Sequence, residues 1–159
     1  MTTTEETYLH YIEGIDSLNR AWYILCELRA VEKPKAIHAA AFRFALIEYA
    51  KPYIRSDGKH RRGRNSYKLP APNLAQDFLT LHHQILDLRD TFLAHNDLTL
   101  KEAKLFVIQH GTQPLVGVFS SNSDPSLPDR EAVINLIERT LDQMYVEQER
   151  LEKNLRQTD

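Results

Sequence analysis

One cysteine, Cys26, stands in the whole chain of 159 residues, inside an apolar run. An internal disulfide is thereby excluded, and a reducing compartment is the default. Long hydrophobic runs are also missing, none approaching the ~18 residues that a membrane span requires. The opening "MTTTEETYLH" is polar and acidic, without the basic-then-apolar order of a signal peptide. A soluble, cytoplasmic domain with no membrane partner is the resulting expectation. Excess charge of one sign is lacking as well: the formal net charge is −2, so nothing global signals nucleic acid. No Gly-rich phosphate loop, Gly-x-Ser-x-Gly elbow or cysteine-based metal pattern occurs, and neither cofactor nor metal is expected.

The chain does have enough apolar content (42%) to bury a single core, so residues 1–159 are expected to form one domain. Between residues 5 and 31, Tyr8, Tyr11, Ile15, Leu18, Trp22 and Leu25 recur at alternating three- and four-residue steps, the stripe of a long helix. These aromatics are expected in the core rather than in a binding box. Pro34 suits the first position of a second helix, since its missing N–H would be unpaired there anyway. That helix carries Phe42, Leu46, Tyr49 and Tyr53, and Pro52 should kink it or end it near Lys51. A third helix, from about Leu74, places Leu74, Phe78, Leu81, Ile85, Leu88 and Phe92 on one seam, with His95 next in line. "AKLFVIQ" and "LVGVFS", parted by "HGTQP", predict a β-hairpin at about 103–121. A final helix at about 129–156, capped by Asp129 or Ser126, carries Ile134, Ile137, Leu141 and Met144. The expected fold is mainly α: a four-to-five-helix up-and-down bundle with a short β-hairpin inserted before the last helix.

Charge is concentrated in two places. Residues 55–73 form an expected exposed loop with Arg55, Lys59, Arg61, Arg62, Arg64 and Lys68 against a single acid, Asp57, and with Tyr67 available for stacking. Basic segments with an aromatic suit RNA backbone contact and base stacking; a solvated loop that keeps the bundle soluble is the plainer alternative. The second place is "LRDTFLAHND", residues 88–97, where Arg89 and His95 bracket apolar Phe92 and Leu93. On a regular helix, six residues turn the two side chains about 120° apart and ~9 Å along the axis. One rigid helix therefore does not aim both at one atom; the long arm of Arg89, a loosening of the helix near Asn96–Asp97, or a two-fold dimer that brings a second pair to the same place would each resolve this. A helix end whose arginine favours the negative pole of the dipole, with His95 as a half-buried cap, is the alternative. His82 and His83 point about 100° apart on a helix. Both are expected at the surface or an interface, with no companion ligands for a metal.

Arginine, a polar residue, then a short apolar stretch ending in histidine resembles the motif of the HEPN superfamily (higher eukaryotes and prokaryotes nucleotide-binding), and the wording here is most similar to bacterial HEPN proteins of abortive-infection type. The resemblance implies a HEPN-like helical domain, a homodimer with facing motifs, and metal-independent endoribonuclease activity on single-stranded RNA. Arg89, His95 and Asp90 would be its catalytic residues. A neutral imidazole can take a proton from a ribose 2′-OH or give one to the leaving oxygen. A guanidinium offers planar donors where negative charge accumulates on phosphorus oxygens. Asp90 would orient the arginine or the histidine of either subunit. Lys59, Arg61, Arg62, Arg64, Lys68 and Tyr67 would bind RNA, without DNA specificity. A toxin or antiviral defence effector with a protein antitoxin is the implied setting. Since some family members do not cleave RNA, a non-catalytic dimeric nucleotide- or RNA-binding or protein-interaction module stands as the alternative.

Overall fold

Among the described residues, apolar side chains spaced three and four residues apart fold into four α-helices that share one core. The computed structural model describes residues 3–30, 35–57, 66–90, 102–110, 113–121 and 126–156. Helix α1 (Thr3–Ala30) is the longest, with α2 (Lys35–Ala50), α3 (Gln76–Leu88) and α4 (Arg130–Arg156) after it. Leu18 and Leu25 of α1, Leu46 and Tyr49 of α2, Ile85 of α3, and Ile134 and Ile137 of α4 are all buried in the common core. Each such apolar side chain contributes ~1.5–3 kcal/mol by leaving water.

Polar partners at the edge of the core fix how the helices run. Tyr8 donates to Glu152, Tyr11 to the Met144 carbonyl and Trp22 to Glu138, while Arg29 pairs with Glu131. Rising numbers on α1 meet falling numbers on α4, so the two are antiparallel. The α1 aromatics are thus half-buried staples rather than core members, because each polar tip must find a partner. α2 also runs against α1, with Glu48 beside Arg20 and Pro52 beside Gly14. Gly14 permits this approach: a Cβ there would stand 3.3 Å from both Pro52 Cβ and Leu69 Cδ1.

Pro52 ends α2 as its lost N–H requires, and Lys51–Tyr53 form a single 3₁₀ turn. Beyond it, β1 (Ser56–Asp57) pairs antiparallel with β2 (Ser66–Tyr67), and the Leu69 N–H donates to the Pro52 carbonyl at 2.8 Å. Both ends of the basic loop are therefore tied to the bundle. Residues 58–65, with Lys59, Arg61, Arg62 and Arg64, lie outside the described residues.

α3 starts at Gln76 rather than Leu74, whose N–H turns back to the Pro72 carbonyl. Phe78 lies under Arg139 of α4, with the guanidinium carbon 5.0 Å from the ring centre. One turn on, His82 is fully buried, not at the surface as its neighbour His83 is. Its ring packs edge-on against Tyr53 and Tyr49, and its Nδ1 stands 2.8 Å from the Tyr49 hydroxyl. That hydroxyl and the two aromatic faces make burial of the imidazole tolerable. At Arg89 and Asp90 the helix widens into a π-type turn, and the expected seam beyond it, including His95, lies outside the described residues.

Strands β3 (Glu102–His110) and β4 (Gln113–Ser121) are antiparallel, with Glu102 opposite Ser121 and His110 opposite Gln113. α4 begins where the Asp129 carboxylate accepts the Ala132 N–H at 2.9 Å, a side-chain cap. Among the described residues, no helix is long and apolar enough to cross a membrane.

Candidate functional site

Where the turn after α2 crosses the N-terminal half of α1, a cleft of about 630 Å³ opens over Gly14, Pro52 and Leu69. Its walls carry Arg20 from α1, Lys51 and Arg55 from the turn after α2, Lys68 following β2, and Arg89 from the end of α3. Among the described residues, five cations thus come from four stretches of chain, and the lining holds only one acid, Glu13. A cleft with walls of one sign concentrates counter-charge, so an anionic ligand is the chemistry it suits. The volume lies within the ~300–1,000 Å³ typical of ligand sites, more than a lone phosphate fills.

Two of these cations are held from below. Glu48 is buried at the base of the wall and accepts hydrogen bonds from Arg20 Nε at 3.0 Å and from Lys51 Nζ. Arg20 also donates through Nη2 to Ser17 Oγ at 2.9 Å. Burial pushes the Glu48 carboxyl up, but the hydrogen bonds from Lys51 and Arg20 outweigh it and hold the group below its usual range. Glu48 is therefore an anion with two cations fixed upon it.

The lining also carries an aromatic pair. Tyr67 stacks on His10 of α1, the rings 4.0 Å apart and within 15° of parallel. One face of Tyr67 is thereby already occupied. The pair presents a planar platform beside Lys68, of the kind on which a nucleobase stacks.

Arg89 closes the cleft from α3. Its N–H is shared between the Ile85 and Leu86 carbonyls, which continues the helical path and directs the side chain from the last turn. The guanidinium donates through Nη1 to Asp90 Oδ1 at 2.7 Å, and its Nε is buried without an acceptor among the described residues. A buried donor left unmet is costly, and an incoming acceptor would relieve that cost.

Of the basic-loop and motif residues singled out from sequence, Arg55, Tyr67, Lys68 and Arg89 meet in this cleft, and Asp90 contacts Arg89. His95, Lys59, Arg61, Arg62 and Arg64 lie outside the described residues. Sequence reasoning passed over Arg20, Lys51 and Glu48. The available signal was "FALIEYA", where a glutamate interrupts an apolar run and must find a cation once buried. Among the described residues, no three His, Cys, Asp or Glu side chains gather as a metal-ligand set. Comparison with known proteins yields no matching family model, no similar curated protein and no similar solved structure.

Proposed function

We propose that this protein is a HEPN-type endoribonuclease that takes single-stranded RNA into the basic cleft and cleaves it without a metal ion. The observation that carries the reading is the place of Arg89: the motif arginine lines an open cleft together with four other cations and an aromatic stack. In this scheme Arg89 donates to the non-bridging oxygens as charge builds on phosphorus. His95 takes the proton of the neighbouring 2′-OH, whose oxygen bonds to phosphorus in line as the P–O5′ bond breaks, and the departing 5′ oxygen gains a proton from water to leave as a hydroxyl. Asp90 fixes the guanidinium through the bond already present between them. Two copies of the chain, facing each other across the end of α3, bring two such motifs together, as a growth-arrest toxin or phage-defence effector would use them. The abortive-infection resemblance of "LRDTFLAHND" supports that role.

Incubation with end-labelled RNA and with DNA of the same sequence, in a chelator, tests the reading. RNA should be cut and DNA, which lacks the 2′-OH, left whole. Loss of an acid–base group costs ~10²–10⁴-fold in rate, so His95→Ala should remove most activity. Arg89→Ala should do similar damage, whereas His83→Ala should leave the rate unchanged. Activity that persists in both motif variants would place the chemistry elsewhere.

The Arg89–Asp90 pair favours a second reading, since it engages part of the guanidinium before any ligand arrives. On that reading the protein is a non-catalytic dimeric module that binds RNA or a nucleotide, and the same assay leaves the RNA whole while a gel-shift with the same label shows binding.

A further inference from the structure

We propose that Arg20 and Lys51 form a phosphate subsite in the cleft, and that the buried carboxylate of Glu48 is the positioning residue that aims them. The subsite rests on single-stranded RNA being the ligand of the cleft, and it assigns a grip on the strand to residues outside the Arg–His motif.

The arrangement exceeds what a helix staple needs. One buried carboxylate requires one cation, yet Glu48, 2% exposed, receives two, from α1 and from the turn after α2. Both cations are about half exposed (49% and 48%), so both remain open to a ligand while anchored from behind. Arg20 directs Nε to Glu48 and Nη2 to Ser17, which leaves further guanidinium hydrogens to donate. Lys51 has three ammonium donors and one contact to Glu48. Two positive charges on one negative leave a net positive wall. Long side chains ordinarily lose freedom when they grip a ligand; here folding has already taken much of that freedom away. Arg89 lies on the same cleft, so a strand whose reacting phosphate meets Arg89 can present another phosphate to Arg20 and Lys51.

Positioning and simple charge predict opposite signs for one substitution. Glu48→Gln makes the cleft more positive by one charge. If charge alone matters, RNA binds more tightly; if Glu48 aims its cations, RNA binds more weakly although the wall is more positive.

The experiment measures fluorescence anisotropy of a labelled single-stranded RNA carrying 2′-O-methyl groups throughout, which the protein cannot cleave by 2′-OH attack. Charge-assisted hydrogen bonds support a loss of roughly 10-fold or more for Arg20→Ala and for Lys51→Ala. The double variant should lower the slope of log affinity against log salt by about 0.7, the share of one phosphate on a single strand. Glu48→Gln should weaken binding several-fold with the slope retained, since both cations are still there. Equal or tighter binding by a folded Glu48→Gln protein overturns the positioning role. If that variant does not fold, its melting curve shows it, and Arg20→Ala and Lys51→Ala decide: wild-type affinity and slope in both overturn the subsite. RNA held through Arg20 and Lys51 without cleavage of natural RNA would keep the subsite and sink the ribonuclease. Cleavage with unchanged KM in both variants would do the reverse, and no binding by the wild type would overturn both.

Discussion

His82 shows how a single residue can be misjudged from its neighbours in sequence. Beside His83, and on a helix flank leading to Arg89, it looks like a surface group; the structure seals it against Tyr49 and Tyr53. Nothing in the spacing foretold that α3 would turn this flank toward the end of α2. Burial, then the nearby His83 and Lys68 charges, lowers its pKa from 6.5 to about 4. The imidazole is thus neutral in the fold at pH values where the unfolded chain protonates it. Stability is full above about pH 6.5 and declines as pH falls toward 4, by about 3 kcal/mol at most. Urea unfolding across that range should show the decline in the wild type and a flatter dependence in His82→Gln. Equal pH dependence in the two proteins would mean that another group governs it. Glu48 teaches a complementary lesson: the type of residue was visible, but its two partners come from α1 and from the turn beyond α2, which only the fold brings together.

At the scale of elements, helices with dense periodic patterns were the most legible. α4 runs Arg130–Arg156, as its apolar repeat and Asp129 indicate, because cap, periodicity and burial all agree there. Asp129→Ala should cost ~1 kcal/mol through removal of the cap. For a domain of this size that lowers the melting midpoint by roughly 2–4 °C. An unchanged midpoint in calorimetry would show that the cap does not hold the start of α4. The end of α3 was harder to foresee. Its heptad seam foretells a regular helix at Arg89, where the turns widen instead; the seam positions from Phe92 to His95 lie outside the described residues. Periodicity records which face is apolar; it does not record where the turns widen or which side chain lines a cleft. Composition marks residues 55–73 as basic but gives no sign of the short β1–β2 ladder or of the Leu69–Pro52 bond beside Tyr67 and Lys68. Changing Arg61, Arg62 and Arg64 together to alanine should weaken RNA binding and flatten its salt slope, by about 0.7 for each phosphate that is no longer neutralised on a single strand. Unaltered affinity and slope in this triple variant would remove the loop from the RNA path.

For the molecule as a whole, the mainly helical bundle follows from the apolar stripes, while the cleft does not, since its walls come from stretches far apart in the chain. The proposed chemistry places two chains together, and sedimentation equilibrium should find a two-fold dimer whose interface, including the end of α3, buries upwards of ~1,000 Å². A chain that remains monomeric at micromolar concentration would rule out facing motifs. The central claim is narrower: the cleft handles a phosphodiester whose own 2′-OH is the nucleophile. Mass spectrometry of the ends left on a short single-stranded RNA, cut by the purified protein in a chelator, tests that claim most directly. The expected products are a 2′,3′-cyclic phosphate on the upstream fragment and a 5′-hydroxyl on the downstream one, both absent with His95→Ala. A 3′-hydroxyl opposite a 5′-phosphate, the mark of attack by water, would contradict the claim.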